Sequence, residues 1–424
     1  MSWIDIVRQT LLEAEQISDG LAGTRNAVLG LWLAIDRAPS NVRDLFRGFD
    51  EAALQHEASD LALDDVFCGV ADTARTRAEN EAVLWALAVR LRALELYLFS
   101  ISDGAVLRRP EDCLAHFGSD EAYVLLREPR NRVAKTGDSF RRRGLRRARL
   151  IPTKIRDFDV ELVLIEDPRG RVRANRGIPL SLGAGLFKDL KLNIVQSTDG
   201  FFVTDASAPS QLDTMRDQIA AASHAHCMGV VYPELTIGGS ALASMSQNLS
   251  DGTWDECDLS IIVAGSRHHM DGNGSRFNIS TVLDGYGTVL AEHRKLYRFS
   301  EGSGPHEAIE LGTRVQVLVC EQAILAFGIC LDFCNLAEDP PYLELDVDYV
   351  VVPSCGGEST MKSHIARSSD LFTRLKSQSV VVQQFHAETP KPTDPLGYVL
   401  ARTSSQVPDL SSLERRDPWT VCNL

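Results

Sequence analysis

The chain lacks most features that would assign it quickly. No apolar run approaches the ~20 residues that a membrane-spanning helix needs. The opening residues, Met1-Ser-Trp-Ile-Asp-Ile-Val-Arg-Gln, carry an early acid and no basic stretch, so no secretory signal is expected. Excess positive charge is also missing. With 44 basic and 58 acidic residues the net charge is −14, which argues against general affinity for nucleic acid and favours solubility. Nine cysteines are scattered without paired short spacings, which fits reduced thiols in a cytoplasmic protein better than a disulfide framework. Cys330 and Cys334 form a lone CxxxC with no second pair at ligand spacing, so no zinc site is expected. His268-His269 lie in a polar, glycine-containing stretch without a positioned third ligand and read as a pocket-rim loop. Internal repeats and low-complexity tracts are absent.

What is present is ordinary globular composition, 44% hydrophobic and 24% charged over 424 residues, enough for two or three domains. Residues 1–106 read as helices. Ile4, Ile6, Val7, Leu11 and Leu12 recur at helical spacing, and the clearest helix is predicted over residues 72–100, on Val83, Leu84, Leu87, Val89, Leu91, Leu94 and Leu96. This region carries no chemical constellation and reads as a packing or interaction domain, with a protein partner as one role open to it.

Residues 107–190 read as a mixed connecting segment. Its basic run, Phe140-Arg-Arg-Arg-Gly-Leu-Arg-Arg-Ala-Arg149, has no interleaved aromatics. It reads as a solvated face or linker pairing with the protein's own acids, the alternative being a nucleic-acid or phosphate contact. A strand is predicted over residues 160–165, a turn at Asp167-Pro-Arg-Gly170 and a return strand over 171–173. The glycine- and proline-containing residues 177–185 look like a boundary.

From residue 191 onward the period changes. Short apolar runs near residues 192–196, 228–232, 260–265, 277–283, 315–319, 324–329, 348–353 and 380–385 read as strands, and residues 210–222 and 363–378 as helices. Such alternation argues for sheets covered by helices. Three of the strands end in residues with chemistry. Val230-Val-Tyr-Pro-Glu-Leu-Thr236 places Glu234 past a strand. Ala291-Glu-His-Arg-Lys-Leu-Tyr-Arg298 places Lys295 after another. Leu325-Ala-Phe-Gly-Ile-Cys-Leu-Asp-Phe-Cys-Asn335 ends a buried strand in Cys330, with Asp332 and Asn335 suited to a helix start. A cysteine at such a junction can be a nucleophile, with nearby amides holding an oxyanion. Alone, Glu234 would read as a helix-start acid and Lys295 as a solvated charge.

Together, and in this order, they resemble the carbon–nitrogen hydrolase (nitrilase) superfamily over about residues 191–400. The resemblance implies a four-layer α-β-β-α sandwich in residues 191–424, beside a mostly helical N-terminal region. It implies Cys330 as nucleophile, Glu234 as general base, Lys295 as oxyanion stabiliser and the Leu331 amide as a second oxyanion donor. It also implies a second glutamate holding the lysine, for which Glu307 is the best match and Glu301 and Glu310 compete. Cys330-Leu-Asp332 looks like the amidase branches, which favours a small-molecule amide over a nitrile. Val351-Val-Pro-Ser-Cys-Gly356 resembles the strand after the nucleophile, with Cys355 packing or lining the pocket. The family needs no metal or organic cofactor and commonly pairs protomers, so a homo-oligomer is expected. After Leu400 the sequence is polar, so the last sheet strands are expected to be missing or supplied from before residue 191. Two alternatives stay open: acyl transfer from the same acyl-enzyme, and a catalytically silent binding or effector module with the helical region as sensor.

Overall fold

The computed structural model describes residues 2–17, 20–62, 65–67, 76–102, 109–127, 145–198, 200–254, 257–300, 304–387, 391–401 and 406–424. Contacts divide the chain into two compact units, Met1–Thr153 with Thr373–Lys376, and Lys154–Phe372 with Ser377–Leu424. This division differs from the boundaries at residues 106 and 190 read from composition.

The first unit holds helices α1 (Trp3–Ile17), α2 (Gly20–Asp36), α3 (Ser40–Arg43), α4 (Glu51–Asp60) and α5 (Arg77–Ile101), then an antiparallel sheet of β1 (Leu114–Phe117), β2 (Asp120–Leu126) and β3 (Ala148–Pro152). A capping box sets the start of α5: the Thr76 side chain accepts from the Glu79 amide, and the Glu79 carboxylate accepts from the Thr76 amide. Val83, Leu84, Leu87, Leu91, Leu94 and Leu98 bury one stripe of that helix. The described part of the basic run is structural. Glu95, buried in α5, accepts the amides of Arg146, Arg147 and Ala148 at 2.8, 2.6 and 3.0 Å. Residues 140–144 of that run lie outside the described residues. Among the described residues no helix is long and apolar enough to cross a membrane.

The second unit is built on two sheets. One has the order β11 (Arg267–Met270), β12 (Arg276–Leu283), β10 (Ile261–Val263), β9 (Gly229–Val231), β6 (Ser181–Gly185) and β20 (Trp419–Asn423), with β13 (Val289–Arg294) also paired to β12. The other runs β19 (Glu414–Arg415), β18 (Gly397–Ala401), β17 (Gln378–Phe385), β16 (Tyr349–Gly356), β15 (Ile324–Phe327), β14 (Arg314–Val319), β5 (Phe158–Leu164) and β4 (Lys154–Ile155). The inner faces meet in one apolar core. Leu182, Val231, Ile261, Val263 and Val282 come from the first sheet, and Leu325, Phe327, Val351, Val380, Val382 and Val399 from the second. Central strands are apolar on both faces because each also packs a helix layer. Val230 and Ile262 turn outward onto α7 (Gln211–His224) and α8 (Gly239–Ser250), through Met215, Ile219 and Met245. On the far side, α10 (Glu358–Leu375) meets the second sheet where His364 bonds Ser354 at 2.9 Å. The result is the expected α-β-β-α sandwich.

Two details depart from the sequence reading, and a third meets one of its alternatives, strands supplied from before residue 191. Residues 171–173 are not a return strand but part of α6 (Gly170–Arg176), closed by Gly177 at φ 64°. The chain here leaves β5 in one sheet to reach β6 in the other, so a hairpin return would be in the wrong place. The sheets are not short of strands. β5 runs parallel to β14, β6 parallel to β9, and β20 antiparallel to β6, so residues before 191 and after 400 both supply them. Finally, His268 is not in a rim loop: it lies buried on β11, while His269 is exposed. A hairpin of β7 (Lys191–Ser197) and β8 (Gly200–Ser207) stands apart as its own small sheet.

Candidate active site

Cys330 follows β15 by a sharp turn into the four-residue helix α9 (Leu331–Cys334). Its backbone is held at φ 44°, ψ −99°, a region that costs a non-glycine residue about 1–3 kcal/mol. The turn is fixed on both sides. The Cys330 amide donates to Pro353 O at 2.9 Å, and the amides of Asp332 and Phe333 donate back to Ile329 O and Cys330 O. Leu331, the expected oxyanion donor, is the first helical residue, where an amide has no intrahelical acceptor.

Glu234 sits at a second strained junction. Leu235 has φ 56°, and its amide bonds Ser266 O at 2.8 Å. This close approach needs Gly265. At φ 61° a Cβ there would lie 2.0 Å from Pro233 O. Lys295 follows β13, its amide donating to Asn278 O at 2.9 Å.

These loops converge on one buried ammonium. Lys295 Nζ donates to Glu234 Oε1 and Glu307 Oε2, each at 2.8 Å, and all three side chains are at most 4% exposed. Of the competing glutamates, Glu310 is exposed and Glu301 lies outside the described residues. Asn278 Nδ2 donates to Glu234 Oε1 at 3.0 Å and to Glu307 Oε1 at 2.8 Å, so one amide nitrogen spans both carboxylates. Glu307 also pairs with His268 Nε2 at 2.8 Å. Because His268 Nδ1 accepts the Val203 amide at 2.8 Å, Nε2 is the protonated, donating nitrogen. Glu234 Oε2 accepts the Cys355 amide at 3.1 Å, and the Cys330 thiol sits 3.8 Å from Cys355 O.

The two carboxylates are driven apart in acidity. Burial pushes Glu234 above the ordinary glutamate value; Lys295 pulls it down, Glu307 pushes it up again, and the net shift is upward. Glu307 is also raised by burial, but Lys295 and His268 outweigh this and hold it far below the usual range. Lys295 is pushed down by burial and up, more strongly, by both glutamates, so it stays charged. Glu307 is therefore the standing counter-ion and Glu234 the carboxylate able to take up a proton.

Asp332, read in the sequence as a helix-start residue and a branch marker, ties the cysteine turn to the lysine loop. Its Oδ1 accepts the amides of Leu296 and Tyr297 at 2.8 and 2.9 Å. Its Oδ2 accepts the Ile329 amide at 2.9 Å and meets His293 Nε2 at 3.2 Å. A cysteine at a helix start beside a lysine ordinarily has its thiolate favoured, and Cys330 does not follow that rule. The neighbouring Cys334 sulfur, burial and Glu234 push the thiol well up, and Lys295 pulls it down less strongly. Cys334, a free cysteine close to Cys330 and His364, moves the opposite way. Cys330 is thus held as a thiol, which would need a base to act as a nucleophile.

Sequence reasoning missed Asn278, His268, Asp332 and the Cys334–His364 neighbourhood as parts of this network. The stretch Arg276-Phe-Asn278 was on view, but only pairing β12 beside the lysine loop gives Asn278 its place.

No family model matches the chain, and no curated protein matches it. Among solved structures, it is similar to a cysteine-to-serine variant of a Nesterenkonia AN1 amidase from the nitrilase superfamily. That match has 16% identity and a TM-score of 0.42, over 58% of this chain and 91% of that one. It is also similar to a cysteine-to-alanine variant of the amidase from Nesterenkonia sp. AN1 in complex with butyramide, at 16% identity and a TM-score of 0.41, over 59% of this chain and 92% of that one.

Proposed function

We propose that the second unit is a thiol-dependent hydrolase of a non-peptide carbon–nitrogen bond, acting on a small-molecule amide in preference to a nitrile. The observation that carries this reading is the Lys295 ammonium held between Glu234 and Glu307, with Glu234 Oε2 and the Cys330 thiol both resting on the Cys355 backbone, at 3.1 Å from its amide and 3.8 Å from its carbonyl oxygen. Glu234 takes the thiol proton as the Cys330 sulfur attacks the carbonyl carbon. Lys295 and the Leu331 amide stabilise the resulting oxyanion. Collapse breaks the C–N bond, and Glu234 gives its proton to the departing amine, leaving a thioester on Cys330. Glu234 then deprotonates water, which attacks the thioester; the C–S bond breaks and the thiol recovers its proton. Glu307, Asn278 and Asp332 hold the lysine, the base and the two loops in register. None of these steps calls on a metal or organic cofactor. We place the enzyme in the cytoplasm as a homo-oligomer, in keeping with reduced cysteines and the family resemblance. The test is a metabolite extract incubated with wild type and with Cys330→Ala. A compound consumed by wild type only, with its amine and acid appearing, supports the reading; consumption by both proteins contradicts it.

A further inference from the structure

We propose that Cys330, Cys334 and His364 form a binding site for Zn2+, and that its occupancy silences the Cys330 thiol; the silencing clause rests on the function proposed above. The sequence shows only an isolated CxxxC. The fold supplies the third ligand from α10, thirty residues further on. One donor atom from each residue lies within 4.8 Å of the other two, and all three residues are buried. Distances of about 2.3 Å from zinc to sulfur and about 2.0 Å to nitrogen put donor atoms of a tetrahedral site ~3.5–3.8 Å apart. Small side-chain rotations close the remaining distance. Two thiolates and an imidazole, with a fourth position left for water, suit Zn2+ better than Mg2+ or Ca2+.

The histidine is prepared for this role by its outer hydrogen bonds. Gln383 Nε2 donates to Gly356 O and Gly357 O at 3.0 and 2.9 Å, which fixes its amide so that Oε1 faces Ser354. Ser354 Oγ lies 2.9 Å from His364 Nε2 and 3.4 Å from Gln383 Oε1, so one nitrogen of the ring is held by a hydrogen-bonded hydroxyl. The other nitrogen, Nδ1, is buried with no hydrogen-bond partner among the described residues. Phe333 stacks on the ring at 6.0 Å and 16°. A histidine with one nitrogen held by an outer hydrogen bond and the other left unpartnered is the usual arrangement of a metal-bound imidazole. Zinc binding would release the thiol protons and engage the sulfur lone pair that attacks substrate.

The test uses the full-length protein, reduced and treated with chelator, titrated with Co2+ as a spectroscopic probe and then with Zn2+. Wild type is expected to give thiolate-to-cobalt charge-transfer absorption that Zn2+ displaces. Cys334→Ser and His364→Gln, both close in size to the native residues and checked by thermal melting, should bind at least about tenfold more weakly. Cys355→Ser should leave the absorption intact. Zn2+ should inhibit turnover reversibly in wild type and need at least about tenfold higher concentration in Cys334→Ser. No charge-transfer band in wild type, or an unchanged band in both ligand variants, would overturn the site. A normal band with unaffected turnover would keep the site and instead remove Cys330 from the proposed mechanism.

Discussion

At the residue scale the proposed chemistry gives two neighbouring carboxylates different tasks. Asn278 presents one amide nitrogen to both Glu234 and Glu307, where they share Lys295. Asn278→Asp would put a third carboxylate against a single ammonium. The kcat is expected to fall at least about 10²-fold at neutral pH, because the oxyanion donor is held more tightly in the resting site. Steady-state kinetics beside a thermal melt would check this, and an unchanged kcat would count against Asn278 as a positioning residue. Glu234 must be ionised to take the thiol proton, and its folded value is raised. Activity should therefore be full above that value and decline as pH falls through it. A kcat/KM profile should show its acid limb above the ordinary glutamate value of about 4.3. A limb at or below that value would contradict Glu234 as the base. Glu234→Gln should lower kcat by roughly 10²-fold or more with the fold retained.

At the element scale, the candidate site hangs on strand ends, and this is why its residues could be picked out in the sequence. Runs such as residues 324–329 announce a buried strand through composition alone, and Glu234, Lys295 and Cys330 each lie just beyond one. What the sequence could not show was lateral pairing. His268 looked like a loop residue because its glycine-rich neighbours mask a four-residue strand, Arg267–Met270, whose partner β12 lies beyond a turn. Residues 171–173 looked like a strand because a turn signal preceded them, whereas the crossing between sheets requires a helix. Gly265 is the element-scale weak point, pressed against Pro233 O at a positive φ. Gly265→Ala should destabilise the protein by about 1–3 kcal/mol. The turn carrying Glu234 should shift with it, so activity should drop as well. Denaturant unfolding with parallel assays would test this, and wild-type stability would refute it.

At the scale of the whole molecule, the sandwich draws strands from far apart in the chain. β5 lies between β4 and β14, and β6 lies between β9 and β20, so residues 158–164 and 181–185 each give one interior strand, one to each sheet. The strand over residues 160–165 was legible, but β6 was not, because a glycine- and proline-containing stretch near residue 180 reads equally well as a boundary or a buried strand. A chain beginning at Lys191 would expose the edges of β14 and β9 and should aggregate. One beginning at Lys154 should stay soluble and keep its thermal transition. Equal solubility of both would show that β5 and β6 are dispensable.

The central claim is that Cys330 forms a thioester with a small amide under the control of Glu234 and Lys295. Its most direct test is intact-protein mass spectrometry on wild type and Cys330→Ala after incubation with a panel of short aliphatic primary amides, with ammonia release followed in parallel. The expected result is ammonia release and an acyl adduct on the peptide carrying Cys330, both absent from Cys330→Ala. Ammonia release that survives in Cys330→Ala, or an acyl adduct located on Cys334 or Cys355 instead, would contradict it.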